Sequence, residues 1–167
     1  MYRLEPELFD LNYTLDCGQV FRWERDGDWW TGVVGENVVR LLQEKESGSL
    51  LVDSELSPEF FSHYFRLDDN LPSIYESINR DLLIDRAINR YRGLRLIRQD
   101  PWECLISYML ATASSIPTIQ KRIFLLSRFF SDRNSKTDIS AFRILKLLQT
   151  RICLCLTGVS SVSGQNA

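Results

Sequence analysis

The chain has 167 residues, of which 44% are hydrophobic and 25% charged, proportions typical of soluble globular proteins. No apolar run reaches the roughly 18 residues needed to cross a bilayer, and acidic residues interrupt the N-terminus where a secretory signal requires an apolar stretch. We therefore expect a cytoplasmic protein without membrane contact. The net charge of −2 argues against phosphate binding by the whole chain, because that affinity comes from lysine and arginine.

Short runs of β-favouring residues, separated by turn residues, fill the region from residue 19 to residue 53. Asp26-Gly27 and Gly35-Glu36 stand at two of the breaks, where hairpin turns need residues that tolerate positive φ. This pattern predicts an antiparallel meander with strands at Gln19–Trp23, Trp29–Val34, Val38–Gln43 and Leu50–Val52. On its covered face we expect the large side chains of Trp23, Trp29, Trp30, Val33 and Val38.

Signals for helix starts follow the predicted sheet. Ser57-Pro58-Glu59 supplies a capping serine, a proline at the first helical position and an early acid, and a second signal occurs at Leu71-Pro72-Ser73. Apolar residues continue with helical spacing as far as Ala87, so these helices are expected to cover the sheet. The apolar face of the first helix comprises Phe60, Phe61, Tyr64 and Phe65.

Asp100-Pro101 repeats the combination of a cap and a proline and begins a further predicted helix. Its apolar residues recur at intervals of three and four, which predicts a largely buried helix; they are Leu105, Ile106, Met109 and Ala113. Ser114-Ser115-Ile116-Pro117 interrupts this helix. The amphipathic helix that follows has an apolar stripe of Ile119, Ile123, Leu126 and Phe130.

The helical periodicity is lost beyond Phe130. Residues 131–136 form a polar linker, and residues 151–167 are rich in Ser, Gly, Cys and Val without a period. Codons for Val162 to Asn166, read one nucleotide earlier, can encode Gly-Phe-Arg-Ala-Lys. We therefore expect a sheet domain over residues 1–80, a helical segment over 81–130, and a linker with a non-native, frameshifted tail over 131–167.

The sequence lacks the residues that several kinds of site require. Cys17, Cys104, Cys153 and Cys155 form no C-x-x-C pair, so we expect reduced thiols and neither a zinc site nor a disulfide framework. His63 is the single histidine and no G-x-S-x-G motif accompanies it, which argues against Ser/His hydrolysis. No glycine-rich phosphate loop occurs, and neither a metal nor a small-molecule cofactor is expected.

Basic residues are concentrated in one part of the chain. Five arginines lie between residues 86 and 98, namely Arg86, Arg90, Arg92, Arg95 and Arg98. This cluster is either the solvated face of a helix or a local basic surface that meets phosphate.

Two motifs together resemble the 8-oxoguanine DNA glycosylase/AP lyase family. Residues 17–23 read CGQVFRW and match that family's C/S-G-Q-x-F-R-W signature in residue type and spacing. Residues 95–105 read RLIRQDPWECL and are similar to the family's helix start, in which arginine and glutamine precede D-P-x-E-C-L. Each motif also has a structural explanation, because Gly18 suits any turn into a strand and Asp100-Pro101 starts a helix whatever its function.

The resemblance implies an α+β fold. Its first part would be a twisted antiparallel β-sheet like that of the TATA-binding protein, covered by helices, and its second an incomplete all-α glycosylase domain. The implied function is base-excision DNA repair, in which 8-oxoguanine is extruded from the duplex and removed by an N-glycosylase with associated AP-lyase strand cleavage. The expected partner is double-stranded DNA containing an oxidised purine, bound by a monomer. Such a partner implies association with the nucleoid in a prokaryote or a nuclear location in a eukaryote.

The same resemblance implies roles for individual residues. Gly18, Gln19 and Tyr108 are assigned to recognition of the lesion base, with the Gly18 carbonyl accepting the N7 hydrogen that 8-oxoguanine has and guanine lacks. DNA contacts are assigned to Ala113, Ser114, Ser115, Arg98 and Lys121. The family usually has consecutive asparagines at 113–115, so recognition of the opposite base is in doubt here. The alternative roles are helix ending and capping for the two serines and a solvated loop for Arg98.

The catalytic part of the family pattern is missing from the sequence. The family's nucleophilic lysine and supporting aspartate lie in a helix-hairpin-helix segment and the loop after it, and no such segment occurs here. Lys121, Lys136 and Lys146 follow the second motif outside any such hairpin, so no catalytic residue is assigned. We therefore expect a truncated enzyme, inactive as encoded. The alternatives are a noncatalytic DNA-binding or regulatory module and a nonfunctional gene remnant.

Overall fold

The computed structural model describes residues 1–35 and 37–130. The predicted linker and frameshifted tail, with Cys153, Cys155, Lys136 and Lys146, lie outside the described residues. The described elements are β1 (Tyr2–Leu4), α1 (Leu11–Asp16), β2 (Trp23–Asp26), β3 (Trp29–Val34), β4 (Asn37–Gln43), β5 (Leu50–Asp53), α2 (Pro58–Tyr64), α3 (Leu71–Ile78), α4 (Leu82–Arg90), α5 (Pro101–Ala111) and α6 (Ile116–Phe130). None of these helices is long and apolar enough to cross a membrane.

The five described strands form one sheet in the order β1-β5-β4-β3-β2. Every neighbouring pair is antiparallel, which confirms the predicted fold class. The sequence does not predict β1, because three residues carry too little alternation to be recognised. The strand predicted at Gln19–Trp23 begins only at Trp23, where its pairing with Gly32 of β3 starts. The backbone carbonyl of Gln19 instead accepts a hydrogen bond from the Gln99 side chain.

The covered face of the sheet is built from alternate residues, as the two-residue period of a strand requires. Trp30 in β3 pairs with Leu41 in β4, which pairs in turn with Val52 in β5, and all three side chains are buried. Trp23 pairs with Gly32, and a Cβ on Gly32 would lie only 2.3 Å from the Trp23 ring. The glycine therefore makes room for the indole that closes this end of the core.

The opposite face of the sheet carries three residues that the sequence assigns to the covered face. Trp29 and Val33 alternate with the buried positions of β3, and Val38 in β4 is 45% exposed. The expectation of a covered position is therefore wrong for these three, because size and β-propensity do not distinguish the two faces of a strand. The Arg40 guanidinium instead stacks over the Trp29 ring at 4.8 Å from its centroid.

The sheet is covered by α1 and α2. Ser57 caps α2 as predicted, since its hydroxyl accepts a hydrogen bond from Phe60 N at 3.3 Å. Phe60 itself is partly buried against the core. The buried side chains contributed by α1, α2 and the α2 C-cap are Leu11, Thr14, Leu15, Phe61, Tyr64 and Phe65.

The expectation that helices as far as Ala87 cover the sheet is wrong for α3 and α4. Leu71 is the buried residue of α3, and no residue of α4 is buried. Leu82 and Leu83 are 76% and 75% exposed. Helical spacing reveals the direction of an apolar stripe but not the surface that the stripe will meet.

The chain after α4 returns to the N-terminal part of the first compact unit. Asp10 N donates to the Gly93 carbonyl at 2.8 Å, and Gly93 N donates to the Tyr75 hydroxyl at 3.0 Å. Gly93 has φ of +88°, and a Cβ there would lie 2.8 Å from Asp10 N. These contacts extend the first unit over Met1–Asp100, whereas the sequence places the boundary after residue 80.

The second compact unit begins at Pro101 and pairs α5 with α6. The predicted interruption is observed, because α5 ends at Ala111 and α6 begins at Ile116. Ile119 and Ile123 of the predicted stripe are buried. The expectation of a largely buried α5 is wrong, since Ser107 is its buried residue and Met109 is 63% exposed. The intervals between apolar residues do not determine how many partners a helix has.

Candidate functional site

Gly18, the first of the candidate residues, terminates α1. Asp10 caps the start of this short helix by accepting a hydrogen bond from Tyr13 N at 2.8 Å. Cys17 is the C-cap, and Gly18 follows with φ of +82°, the left-handed conformation that glycine adopts without steric cost. Among the described residues, the Gly18 carbonyl accepts no hydrogen bond. The helix end therefore explains the glycine and leaves its carbonyl available.

The side chain of Gln19 is bonded to backbone atoms. Its Nε2 donates to the carbonyls of Thr14 and Arg95, both at 2.8 Å, and its Oε1 accepts from Ile97 N at 2.8 Å. Gln99 Nε2 donates to the Gln19 carbonyl at 2.6 Å. Both amide hydrogens of Gln19 are therefore used within the protein. Contact of Gln19 with a lesion base stays a prediction.

Thr14 completes this arrangement. Its side chain is fully buried, and its Oγ1 accepts a hydrogen bond from Arg95 N at 3.2 Å. A buried hydroxyl is costly unless it is bonded, so this contact links α1 firmly to the later segment. We call the resulting set of bonded residues the Gln19 cluster; it comprises Thr14, Gln19, Arg95, Ile97 and Gln99.

Arg95 has a structural role that the sequence does not reveal, although it belongs to the basic cluster and is the first residue of the motif over residues 95–105. It is 6% exposed, and burial lowers the pKa of its guanidinium. Nε donates to the Leu8 carbonyl at 2.9 Å, and Nη1 donates to the carbonyls of Arg66 and of Asp69, the latter at 3.1 Å. A buried charge needs such partners. Its position within the RLIRQDP motif is the signal that indicates a specific role, although not which one.

Arg98 is engaged with carboxylates. Its Nη1 donates to both carboxylate oxygens of Asp68 at 2.7 and 2.9 Å, and its Nη2 donates to Asp69 Oδ1 at 3.0 Å. The bond between Arg98 and Asp68 raises the pKa of the guanidinium and lowers the pKa of the carboxyl. The same Nη1 also lies 3.1 Å from the carbonyl and from Nδ1 of His63. A phosphate would have to compete with these partners, and the expected DNA contact of Arg98 stays a prediction.

The basic cluster of the sequence is thus divided by the fold. Arg95 is buried and Arg98 is paired, while the remaining three members, Arg86, Arg90 and Arg92, are exposed on α4 and just after it. The number of arginines available to a phosphate backbone in this segment is smaller than their number in the sequence.

The second unit contains the other candidate residues. Tyr108 lies on α5 with 77% of its surface exposed, and Lys121 is exposed on α6. Ser115 precedes α6 and its Oγ lies 2.9 Å from Thr118 Oγ1, a local bond at the helix start. Ser114 Oγ accepts from Arg122 Nη1 at 2.5 Å. Both serines therefore take part in the turn between the two helices, as the structural alternative for them predicts.

Ala113 lies in the same turn and has φ of +52°. This is the left-handed region, which costs an alanine roughly 1–2 kcal/mol and which asparagine and glycine tolerate better. The family's usual asparagine at this position would therefore fit the backbone better than the alanine found here.

Exposed thiols occur in both units. Cys17 and Cys104 are free and exposed, and Cys17 Sγ lies 3.5 Å from the Thr14 carbonyl. The part of the chain that the structure describes contains no group of three or more His, Cys, Asp or Glu side chains that could hold a metal ion.

Two proteins with similar sequences carry the name of the activity that the two motifs imply. N-glycosylase/DNA lyase OGG1 of Arabidopsis thaliana is 27% identical over 125 residues, covering 70% of this chain and 34% of its own length. N-glycosylase/DNA lyase of Saccharomyces cerevisiae is 28% identical over 145 residues, covering 77% of this chain and 38% of its own length. The chain thus spans somewhat more than a third of the length of these relatives.

Solved structures show the same fold. MBOgg1 in complex with a low-affinity DNA ligand matches with a TM-score of 0.69 and 27% identity, over 90% of this chain and 60% of that one. The Clostridium acetobutylicum 8-oxoguanine glycosylase/lyase bound to double-stranded DNA with cytosine opposite 8-oxoguanine matches with a TM-score of 0.68 and 25% identity, over 90% and 60%. A family profile described as the N-terminal domain of 8-oxoguanine DNA glycosylase matches residues 1–105, and the chain therefore belongs to the 8-oxoguanine DNA glycosylase family.

Proposed function

We propose that this chain binds double-stranded DNA containing 8-oxoguanine and contributes lesion recognition to base-excision repair. The observation that carries the proposal is the Gly18 carbonyl, which accepts no hydrogen bond among the described residues and follows a helix end held by the Gln19 cluster. The Clostridium acetobutylicum relative supports it, because that protein has been solved with DNA containing the same lesion. We expect the chain to bind this DNA as a monomer.

Recognition through the Gly18 carbonyl would distinguish 8-oxoguanine from guanine at a single atom, N7. The N7 position of 8-oxoguanine carries a hydrogen that a carbonyl can accept, whereas N7 of guanine carries a lone pair that would face the carbonyl oxygen. Leaving two acceptors face to face in a desolvated site costs about 1–3 kcal/mol relative to a hydrogen bond. This difference corresponds to a preference of roughly five- to 150-fold in affinity.

The remaining contacts are proposed in two groups. Tyr108 would pack against the extruded base, since an exposed aromatic ring can stack on any base. The turn residues Ala113, Ser114 and Ser115 and the exposed Lys121 would contact the DNA backbone, with Arg98 added only where a phosphate displaces its carboxylate partners. Such contacts position the duplex and do not read sequence.

The family resemblance assigns base removal and strand cleavage to a nucleophilic lysine in a helix-hairpin-helix segment. In this chain Lys121 lies on α6, outside any helix-hairpin-helix segment. We therefore propose binding without covalent chemistry, which matches the noncatalytic alternative. Borohydride treatment of the chain with 8-oxoguanine DNA should give no trapped complex, and a trapped complex would show that a nucleophile is present.

The test compares affinity for duplexes with 8-oxoguanine or guanine opposite cytosine, measured by fluorescence anisotropy at a stated salt concentration. Wild-type chain should prefer the lesion, and Gly18→Ala should lose most of that preference, because a side chain strains the backbone at φ of +82°. Gly27→Ala is the matched control, since Gly27 also has positive φ, at +61°, but lies in a hairpin turn with open space around it. Equal affinity of the wild-type chain for both duplexes would refute the proposal.

A further inference from the structure

We propose that Gln19 and Gln99 are positioning residues that fix the direction of the Gly18 carbonyl. The inference rests on the proposed function of Gly18 and names the side chains that would make recognition selective. In this inference Gln19 positions the Gly18 carbonyl and does not itself contact the lesion base, because both hydrogens of its amide are bonded to protein carbonyls.

The Gly18 peptide unit needs such support because glycine moves easily between left- and right-handed conformations. A hydrogen bond weakens steeply when its donor and acceptor are misaligned. A carbonyl that could rotate would therefore accept the N7 hydrogen of 8-oxoguanine poorly. It could also turn away from the lone pair of guanine and so lose the penalty on which discrimination depends.

The Gln19 cluster restrains the chain on both sides of this carbonyl. On the N-terminal side, Thr14 in α1 is bonded to the Gln19 amide through its carbonyl and to Arg95 N through its hydroxyl. On the C-terminal side, Gln99 holds the next carbonyl along the chain, that of Gln19, at 2.6 Å. The peptide planes around Gly18 are thus tied to a segment about eighty residues away in sequence.

That segment is itself firmly anchored. The Arg95 side chain is buried and bonded to carbonyls of the first unit, and Arg98 N donates to the Tyr64 carbonyl at 2.8 Å. Gln99 follows Arg98 directly, so its amide is presented from a fixed backbone. A preorganised acceptor discriminates better than a mobile one, because binding need not also order it.

The chain contains a matched control for this arrangement. Gln43 in β4 has the same bonding pattern as Gln19, with Nε2 donating to the carbonyls of Phe9 and Gly48 at 2.8 and 3.1 Å and Oε1 accepting from Leu11 N at 2.9 Å. These partners do not include the residues of the Gln19 cluster. Replacing either glutamine by methionine removes three hydrogen bonds to the backbone and keeps the approximate size of the side chain.

The experiment measures the ratio of dissociation constants for guanine and 8-oxoguanine duplexes, using the full chain. Gln99→Met removes a single bond and should reduce the preference for the lesion about five- to tenfold, the range for loss of one hydrogen bond. Gln19→Met should reduce the preference further. Gln43→Met should lower the melting temperature about as much as Gln19→Met while keeping the wild-type ratio.

The results separate the inference from the function on which it rests. A wild-type preference that survives in Gln99→Met and Gln19→Met would overturn the positioning role. If the wild-type chain shows no preference, the proposed function fails and amide hydrogen exchange decides the positioning claim. Faster exchange in residues 17–20 of Gln99→Met, absent from Gln43→Met, would support it, and unchanged exchange there would overturn it.

Discussion

The Gln19 cluster and the turn between α5 and α6 hold their candidate residues in different ways. In the cluster, the Gln19 side chain bonds to a carbonyl 76 positions away in sequence, and the hydroxyl of Thr14 is fully buried. In the turn, Ser115 bonds to Thr118 three residues on, and the bond is exposed. The cluster therefore depends on folding of the whole first unit, whereas the turn depends on local backbone geometry.

Under the proposed function, this difference suits two kinds of contact with DNA. Reading one atom of a base requires an acceptor whose direction is fixed before binding. Contacts with the phosphate backbone position the duplex and tolerate a local structure that adjusts. Substitutions that weaken the cluster should therefore affect the whole first unit, while substitutions in the turn should have small, local effects.

The largest expected effect is that of Arg95→Met. The carbonyls of Leu8 and Asp69 would lose the donor that Arg95 supplies, and the Arg66 carbonyl would keep only the hydrogen bond from Asp69 N, so the free energy of unfolding should fall by about 3 kcal/mol. Urea denaturation followed by tryptophan fluorescence measures the change. Arg92→Met is the control, because Arg92 is exposed and its replacement should change stability by less than about 0.5 kcal/mol. Equal effects of the two substitutions would contradict the structural role of Arg95.

Gly93→Ala should have the next largest effect. The new methyl group would meet Asp10 N at 2.8 Å in a backbone with φ of +88°, so we expect a loss of about 2 kcal/mol in the free energy of unfolding. Gly48→Ala separates the backbone strain from the steric contact, since Gly48 has φ of +74° but open space for a methyl group. It should cost only about 1 kcal/mol, the part due to backbone strain. Urea titrations measure the free energy of unfolding of both variants. An equal loss in the two would show that the contact of residue 93 with residue 10 is unimportant.

Ala113→Gly should have the smallest effect and the opposite sign. Glycine relieves the left-handed strain at φ of +52°, which should stabilise the second unit by about 0.5–1 kcal/mol. Ala111→Gly is the matched control, because Ala111 is the last residue of α5 and glycine there should destabilise the helix. Thermal denaturation followed by helical circular dichroism compares the two variants. A lower melting temperature for Ala113→Gly would show that the turn is not strained.

Local signals in the sequence predict much of the fold. Ser57-Pro58 starts a helix because the cap and the proline act within one turn, and the alternation in β3 and β4 identifies two central strands. Which face of β3 is covered is not predictable in the same way. Trp29 and Trp30 are identical residues on opposite faces, and only the packing of α1 and α2 selects between them.

The candidate site shows the same limit. The CGQ motif locates Gly18 at a turn, and its positive φ agrees with the choice of glycine. The sequence does not show that the Gln19 side chain bonds to Arg95 and Ile97, because those residues are distant in the chain and take part through backbone atoms, which every residue has. Nor does it show that Arg95 is buried while Arg92 is exposed, since the two differ in packing and not in composition.

The central claim is that the Gly18 carbonyl recognises the N7 hydrogen of 8-oxoguanine. Duplexes containing 8-methoxyguanine test it most directly, because this base keeps an oxygen substituent at C8 but has a lone pair at N7. The account predicts that the wild-type chain binds 8-oxoguanine DNA at least about fivefold more tightly than 8-methoxyguanine DNA, the factor for one hydrogen bond, and that Gly18→Ala removes the difference. Equal binding of the two duplexes by the wild-type chain would contradict it.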